Sequence, residues 1–226
     1  MNYEYIKDKT LEVYKRSGTI SFPIDCFHTL HSLKIPYKPY SGQSAKKQAH
    51  CYMVSDDAFT LKGMIFYNDT SLIGRMRFSL MHELGHIILE HKEVPTQEME
   101  KEANFFASQI LAPRMVIHYA RCKNETEVAK VFDITVECAR YAFNDYKRWH
   151  RYILYHRTSP FDKALYEHFY DKTQKRFIYH RGFCSLCTNT IYNSKTGLCK
   201  SCSGMLRQHT LESSRLNALK FSDELM

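Results

Sequence analysis

The stretch Met81-His82-Glu83-Leu84-Gly85-His86-Ile87-Ile88 decides how the rest of this 226-residue chain is interpreted. A helix advances about 100° per residue, so two histidines four positions apart project from the same side. His82 and His86 can therefore bind one metal ion together, while Glu83 stays free beside the remaining coordination position. This pattern predicts a catalytic zinc ion, with Glu83 as the general base for a zinc-activated water.

The flanking residues predict that the motif lies on an amphipathic helix. Apolar residues recur at helical spacing between Arg75 and His91, and the two histidines of the motif project from the side opposite Leu84. The apolar stripe consists of Met76, Leu80, Leu84, Ile87 and Ile88. One face of this helix is therefore expected to pack in the core while another face holds the metal.

A catalytic zinc ion usually has three protein ligands, so a third ligand must follow. His91 is an unfavourable choice, because it falls near the Leu84 side, where a helix-end histidine more often interacts with free carbonyls. A three-histidine pattern would need glycine at 89 and histidine at 92, but the chain has Leu89 and Lys92. A glutamate from a second helix is the remaining common solution.

The stretch from Thr96 to Leu111 predicts that second helix and offers three glutamates. Its apolar stripe consists of Met99, Ala103, Phe106 and Ile110. Glu102 borders this stripe, Glu98 lies further round and Glu100 points away, so Glu102 is best placed to reach inward. Spacing alone leaves open whether Glu102 is a ligand or a solvated flank of the helix.

Four short motifs follow one another along the chain. They are Phe66-Tyr67-Asn68 with Arg77-Phe78, His82-Glu83-Leu84-Gly85-His86-Ile87-Ile88-Leu89, Glu102-Ala103-Asn104-Phe105-Phe106-Ala107, and Leu111-Ala112-Pro113. In this order, over about residues 20 to 145, they resemble the ImmA/IrrE family of bacterial and phage metallo-endopeptidases. The resemblance implies that His82, His86 and Glu102 are the zinc ligands and that Glu83 is catalytic.

The same resemblance implies a substrate class. Enzymes of this type are similar to anti-repressors that cut a helix-turn-helix transcriptional repressor, often one encoded beside them on a phage or mobile element. A protein substrate of this kind is therefore expected, although nothing in the composition points to it. The residue that would donate a second hydrogen bond to the oxyanion does not stand out among the sixteen tyrosines.

The segment before the metal helix gives one clue to how a substrate would bind. Lys62 to Tyr67 is rich in β-forming residues and ends at the turn-like Asn68-Asp69. An exposed sheet edge there would bind a peptide by strand addition, whereas a central strand would build the core. The sequence leaves both interpretations open.

Two C-x-x-C pairs form a second metal-binding pattern. Cys184-Ser185-Leu186-Cys187 and Cys199-Lys200-Ser201-Cys202 are separated by eleven residues, which is close to zinc-ribbon spacing. Four thiolates fill a tetrahedral site and leave no position for water, so this zinc ion is expected to be structural. The sequence thus predicts two zinc ions, one catalytic and one structural.

Composition favours a globular protein in a reducing compartment. The chain is 44% hydrophobic, and no apolar run approaches the roughly 18 residues of a membrane span, so no membrane partner is expected. The polar start from Met1 to Tyr5 has no signal-peptide profile, which predicts a cytoplasmic protein. The remaining cysteines are scattered singletons expected to be buried rather than paired: Cys26, Cys51, Cys122 and Cys138.

Positive charge is concentrated near the C-terminus. Residues 151–226 carry 12 Lys or Arg against 6 Asp or Glu, so +6 of the net +8 lies there. A basic zinc module of this kind fits nucleic-acid contact, protein docking or simple stabilisation, and the charge leaves these uses open.

Residues 124–145 have the outline of a helix-turn-helix. Thr126 to Phe132 and Thr135 to Phe143 predict two helices joined by a tight turn, with Thr135 as an N-cap. Members of the ImmA/IrrE family carry a comparable segment after the protease core, so the resemblance implies that packing against that core accounts for its apolar positions, and we favour packing over DNA reading.

These observations together predict an α+β fold. Residues 1–150 are expected to form a mainly helical, zincin-like metallo-endopeptidase domain with a small β-sheet. An aromatic-rich linker then occupies residues 151–177, and a zinc ribbon with a polar amphipathic tail from Met205 to Met226 occupies residues 178–226. The leading function is a zinc endopeptidase, and the alternative is a nucleic-acid-binding regulator whose H-E-x-x-H metal site is structural or vestigial.

Overall fold

A computed structural model describes residues 1–92, 94–206 and 208. The chain divides into two units, residues 1–179 and a second unit that begins at His180. Most of the predicted polar tail, residues 207 and 209–226, lies outside the described residues. Within the described part of the chain, none of the helices combines the length and the apolar character that crossing a membrane requires.

Helices dominate the first unit. They are α1 (Tyr3–Ser17), α2 (Cys26–Ser32), α3 (Ala45–Val54), α4 (Ile73–Ile88), α5 (Gln97–Leu111), α6 (Arg114–Ala120), α7 (Glu125–Phe132), α8 (Val136–Ile153) and α9 (Pro160–Phe169). The strands of this unit are β1 (Tyr37–Pro39), β2 (Ala58–Leu61), β3 (Met64–Tyr67), β4 (Tyr170–Asp171) and β5 (Arg176–Phe177). This mainly helical mixture confirms the predicted α+β class.

A three-stranded sheet in the order β1-β3-β2 packs beside α4. β3 pairs with β1 in parallel and with β2 in antiparallel fashion, and the β2–β3 turn consists of Lys62 and Gly63. Both turn residues have positive φ, as the tight hairpin turns that match strand twist require. The strand predicted ahead of the metal helix is therefore the central strand, and β2 forms an edge of the sheet.

The core of the first unit lies where α4 crosses α5. Leu80 and Leu84 on α4 are completely buried, as the apolar stripe of this helix predicted. A Cβ on Gly85 would lie 3.1 Å from Phe106 Cδ1 and 3.2 Å from Ala103 Cα, so any larger residue would push the two helices apart. The glycine between the two motif histidines thus allows the close approach that brings α5 to the metal face of α4.

The stretch predicted as an aromatic-rich linker belongs to the first unit. It contains α9 and the β4–β5 pair, and its buried aromatic and apolar residues join the same core: Phe161, Leu165, Phe169 and Phe177. Asp162 anchors α9, because its carboxylate accepts hydrogen bonds from Trp149 Nε1 at 2.9 Å and from the Arg114 guanidinium at 3.1 Å. The structure differs from the prediction here because aromatic side chains that suggested a linker bury apolar area instead.

Helices α7 and α8 occupy the helix-turn-helix-like segment. The Thr135 hydroxyl accepts a hydrogen bond from Cys138 N at 3.2 Å and so caps α8. The turn between the helices lies against the start of α4, where a Cβ on Gly74 would be 2.8 Å from the Ile134 carbonyl carbon. Val128 and Phe132 are fully buried in the core of the unit, which supports packing as the reason for the apolar positions.

The second unit is built around the four clustered cysteines. Strands β6 (Arg181–Phe183) and β7 (Thr190–Tyr192) form an antiparallel pair. Its small buried cluster consists of Cys184, Ile191 and Cys202. So small an apolar core contributes little to folding, which leaves the cysteines as the centre of the unit.

Candidate metal centres

His82 and His86 on α4 meet Glu100 on α5. The two Nε2 atoms lie 3.0 Å apart, and the Glu100 carboxylate oxygens lie 3.2 Å from His82 Nε2 and 3.5 Å from His86 Nε2. Ligand atoms bound to tetrahedral zinc at 2.0–2.1 Å are about 3.3 Å from one another. The three side chains therefore have the spacing of a zinc site.

Hydrogen bonds behind the two rings orient them toward Glu100. Asn104 Oδ1 lies 3.0 Å from His82 Nδ1, and because an amide oxygen only accepts, His82 carries its hydrogen on Nδ1. Its Nε2 lone pair is then free to bind a metal. On the other ring, His86 Nδ1 lies 2.9 Å from His91 Nδ1. Outer hydrogen bonds of this kind are the usual support of metal-ligating histidines.

The electrostatics of the cluster also fit a cation. Burial, together with the neighbouring His82 and His91, lowers the pKa of His86 to about 4. A neutral imidazole is the form that binds a metal. Two ring nitrogens and one carboxylate thus converge on a single point, and zinc binds such a set of ligands well.

Glu102, the predicted third ligand, does not face the histidine pair. Its carboxylate lies 3.3 Å from His91 Nε2 instead, and the carboxylate that lies beside the two histidines is that of Glu100. The contact of α5 with α4 is centred on Ala103, from which Glu100 lies about 60° to one side and Glu102 about 100° to the other. Part of the apolar stripe of α5 contacts α1 rather than α4. The centre of the whole stripe, as inferred from the sequence, therefore lies closer to Glu102 than the centre of the contact with α4 does.

Glu83 lies beside this cluster and contacts the sheet edge. Burial raises the pKa of its carboxyl, while the Thr60 hydroxyl, which donates to Glu83 Oε2 at 2.8 Å, acts in the opposite direction. A carboxylate with a raised pKa is suited to take a proton in one step and return it in the next. Glu83 thus has the surroundings expected of the predicted general base.

A cleft of about 730 Å³ opens over the histidines and the two glutamates. One wall is formed by β2 and the turn after it, and the other by α4 and the residues that follow it. The lining includes Phe59, Thr60, Phe78, Ser79 and Asn104. The volume of the cleft is within the usual range of ligand-binding clefts.

The edge of β2 offers backbone groups to this cleft. A two-residue turn makes Leu61 and Met64 a hydrogen-bonded pair, and such pairs alternate with non-hydrogen-bonded pairs along an antiparallel ladder. Ala58 and Thr60 therefore direct their backbone N–H and C=O groups away from β3. The Thr60 N–H donates a hydrogen bond to the Glu83 carboxylate, so the sheet edge contacts the predicted general base directly.

The second unit holds a separate cluster of four thiols, whose Sγ atoms lie within 4.8 Å of one another. Cys187 Sγ and Cys199 Sγ are 3.6 Å apart, close to the spacing of about 3.8 Å that zinc bonds of 2.3 Å produce. The Cys199 N–H donates to Cys184 Sγ at 3.3 Å, and with the amides of Cys187 and Leu186 it lowers the pKa of Cys184 to about 6. Hydrogen bonding with Cys199 raises the pKa of Cys202 to about 12. All four thiols can ionise together only around a cation, so this cluster is consistent with a zinc ribbon.

The four cysteines outside this cluster behave as predicted. All are buried, and each of the eight cysteines, which all lie in the described part of the chain, is a free thiol. Burial raises the pKa of Cys26 to about 11 and that of Cys138 to about 12. Such thiols are poor nucleophiles and poor metal ligands.

Sequence reasoning missed Glu100 as a candidate ligand and Thr60 as a partner of Glu83. Glu100 and Asn104 are four residues apart on α5, so the same i,i+4 rule that identified the two histidines would have paired them. No local signal identifies Thr60, because its contact depends on how the β2–β3 hairpin lies across α4.

Comparison with known proteins agrees with this geometry. The model of the Peptidase_M78 family, described as IrrE N-terminal-like domain, matches residues 33–144. No curated protein matches the chain. The matched range contains the sheet and both helices of the histidine–glutamate cluster. Residues 33–144 are therefore similar to the IrrE N-terminal-like domain of the Peptidase_M78 family, and this similarity suggests a metallopeptidase-type function.

Proposed function

We propose that this protein is a zinc-dependent endopeptidase that cleaves a protein substrate, with Glu83 as its general base. The observation that carries this proposal is the convergence of His82, His86 and Glu100 in a cleft beside the buried Glu83. The family match over residues 33–144 supports it. A closed structural site would not place an unliganded carboxylate and open space next to the metal position.

Each side chain at the site has a chemical role in this proposal. When bound, zinc supplies Lewis acidity that acidifies water and polarises the scissile carbonyl. Glu83 takes one proton from water as its oxygen attacks the carbonyl carbon, and it delivers that proton to the leaving nitrogen as the C–N bond breaks. The hydrogen bond from Thr60 holds the Glu83 carboxylate in position for both transfers.

An extended substrate segment is proposed to bind by strand addition to β2. The carbonyls of Ala58 and Thr60 point to the free edge of this strand, and both residues line the cleft, while the Ala58 N–H donates to Ser55 Oγ at 3.3 Å. Backbone pairing of this kind binds a peptide with little dependence on its side chains. It would place the scissile bond across Glu83, since Thr60 contacts that carboxylate directly.

The proposed substrate is a helix-turn-helix transcriptional repressor, as the resemblance to the ImmA/IrrE family implies. The second unit, with a structural zinc ion at its four cysteines, is proposed to dock the repressor or to hold the enzyme near DNA. Deletion of residues 180–226 should then slow cleavage of the DNA-bound repressor more than that of a short peptide. Equal rates for all substrates before and after the deletion would argue against both docking roles.

Incubation with the repressor encoded beside the gene, followed by mass-spectrometric mapping of the products, tests the proposed function. We expect discrete fragments with the wild-type protein and an intact repressor with Glu83→Gln, although this variant retains its zinc. An intact repressor after incubation with fully zinc-loaded wild type would contradict the proposed substrate. Fragments from Glu83→Gln would contradict the proposed base.

A second candidate function is a nucleic-acid-binding regulator whose H-E-x-x-H site is structural or vestigial. The exposed side of α8 favours it, because cationic and aromatic residues alternate there: Arg140, Tyr141, Lys147, Arg151 and Tyr152. Such surfaces contact phosphates and stack on bases. Tight, salt-dependent DNA binding that Lys147→Glu and Arg151→Glu abolish, without cleavage of any regulator, would favour this function over proteolysis.

A further inference from the structure

The chain turns back on itself directly after α4. The His91 N–H donates to the His86 carbonyl at 3.0 Å and the Glu90 N–H donates to the Ile87 carbonyl at 3.2 Å, which is the hydrogen-bond pattern of a Schellman motif. Glu90 occupies the left-handed position of this motif with φ of 56°, where glycine is the usual residue. The motif folds His91 over the last turn of the helix, beside His86.

His91 links His86 to Glu102 in a continuous hydrogen-bonded chain. His86 Nδ1 lies 2.9 Å from His91 Nδ1, and His91 Nε2 lies 3.3 Å from a Glu102 carboxylate oxygen. The His91 side chain is 4% exposed and that of Glu102 is 23% exposed. Both nitrogens of a buried ring are thus engaged, one with a candidate ligand and one with a carboxylate.

The chemistry of these groups fixes the direction of the chain. An ionised carboxylate only accepts, so His91 donates to Glu102 through Nε2. In its neutral form the His91 imidazole has a single N–H, so its Nδ1 then accepts and His86 donates to it from Nδ1. His86 is left with its lone pair on Nε2, the nitrogen that faces His82 and Glu100.

We propose that His91 and Glu102 are positioning residues of the metal centre, which hold His86 in the ring orientation and tautomer that bind zinc. The inference rests on the proposed function only in assigning zinc to the histidine–glutamate cluster. In this proposal His91, at the end of α4, and Glu102 on α5 support the metal centre without binding the metal themselves. His82 has the corresponding support from Asn104 alone, so the two histidines are held in different ways.

Loss of the chain should weaken zinc binding without removing a ligand. Without an acceptor at Nδ1, His86 can turn its N–H toward the cluster, and the energy needed to reorient it opposes metal binding. Loss of such an outer hydrogen bond typically weakens metal affinity by about 10- to 100-fold. A group that only fills space would produce no such loss when a side chain of similar volume replaces it.

The test is a competition titration with zinc and a chromophoric chelator on the full-length protein, in which the four-cysteine site stays loaded. We expect His91→Phe and Glu102→Leu to weaken the labile site by about 10- to 100-fold. Glu102→Gln keeps an oxygen that accepts from His91 and should remain close to wild type. Glu98→Gln, at an exposed position on the same helix, is the matched control.

Nuclear magnetic resonance of ring nitrogens in the zinc-loaded protein gives a readout independent of activity. We expect the hydrogen of His91 on Nε2 and that of His86 on Nδ1. A hydrogen on His91 Nδ1, equal affinities for wild type and His91→Phe, or equal losses for Glu102→Gln and Glu102→Leu would each overturn the proposal. If zinc binds as expected but no protein is cleaved, the proposed function fails while this inference stands.

Discussion

The histidine–glutamate cluster and the four-cysteine cluster differ in what surrounds them. The first brings two histidines and a glutamate together beside a cleft and the buried Glu83, whereas the second brings four thiols within 4.8 Å of one another, and four sulfur ligands would leave no position for water. Hydrogen bonds aim ring nitrogens at the first site and stabilise a thiolate at the second. This contrast is what a catalytic metal site in the first unit and a structural one in the second, as proposed, would produce.

The two sites also differ in their relation to folding. His82 and His86 are on a helix whose other face is buried in the core of the first unit, so that helix is stable without metal. Among its described residues, the second unit buries little besides its cysteines and Ile191. Metal is therefore expected to bind to an existing fold in the first unit and to contribute to folding in the second.

The largest expected effect comes from removing the third ligand. Glu100→Ala should release the labile zinc ion and abolish cleavage, because two histidines alone do not hold zinc tightly. The cysteine-bound ion should remain. Metal analysis and a peptide-cleavage assay check this, with Glu98→Ala as the control, since Glu98 is an exposed partner of the N-terminus two residues away. Full zinc retention by Glu100→Ala would contradict Glu100 as the third ligand and favour Glu102 in that role.

Removal of one cysteine from the four-cysteine cluster should unfold the second unit alone. Cys184→Ser removes the thiolate that three backbone amides stabilise, so the second unit should lose its zinc ion and its folded structure. The thermal transition of the first unit should be unchanged when calorimetry and metal content are measured. Cys51→Ala is the control, because this buried singleton is outside both clusters. If Cys184→Ser leaves two zinc ions per chain, the comparison between the sites fails.

A third change tests whether the first unit is held by its own packing. Asp162 is 1% exposed and accepts hydrogen bonds from Trp149, Arg114 and Ser159. Asp162→Ala leaves a buried guanidinium without its partner, which should cost about 3–5 kcal/mol in the free energy of unfolding. Denaturant titration measures the effect, and Asp8→Ala, at an exposed position, should change stability little. A loss under 1 kcal/mol would show that α9 is not anchored there.

The smallest expected effect concerns the partner of the general base. Thr60→Val removes the hydroxyl that donates to Glu83 and preserves side-chain shape. One such hydrogen bond contributes about 1–1.5 kcal/mol, so kcat should fall roughly 5- to 12-fold while zinc content stays the same. Ser79→Ala removes another hydroxyl of the same cleft, one that bonds a helix carbonyl, and should leave kcat unchanged. Equal kcat values for Thr60→Val and wild type would mean that Thr60 does not position Glu83.

Patterns within a single helix or loop were predictable from the sequence. The i,i+4 spacing of His82 and His86, the apolar face through Leu84 and the cap at Thr135 depend only on helix geometry, and the structure confirms them. The spacing of the four cysteines is similarly local, and it predicted the cluster that the structure shows.

What the sequence could not decide depended on how elements pack. The apolar stripe of α5 favoured Glu102 over Glu100, and only the crossing at Gly85 determines which one faces the histidines. The position of β3 in the centre of the sheet depends on β1, a strand of three residues with no clear pattern of its own. The aromatic residues after α8 have linker-like surroundings in sequence, and their burial appears only when α9 folds back.

The most direct test of the account is a zinc count on the purified full-length protein before and after mild chelation at neutral pH. We predict two zinc ions per chain before treatment and one afterwards, with peptide cleavage lost as the first ion leaves and restored when zinc is added back. A protein that holds only the cysteine-bound ion from the start, or that cleaves its substrate at full rate after losing the labile ion, would contradict the proposed catalytic metal centre.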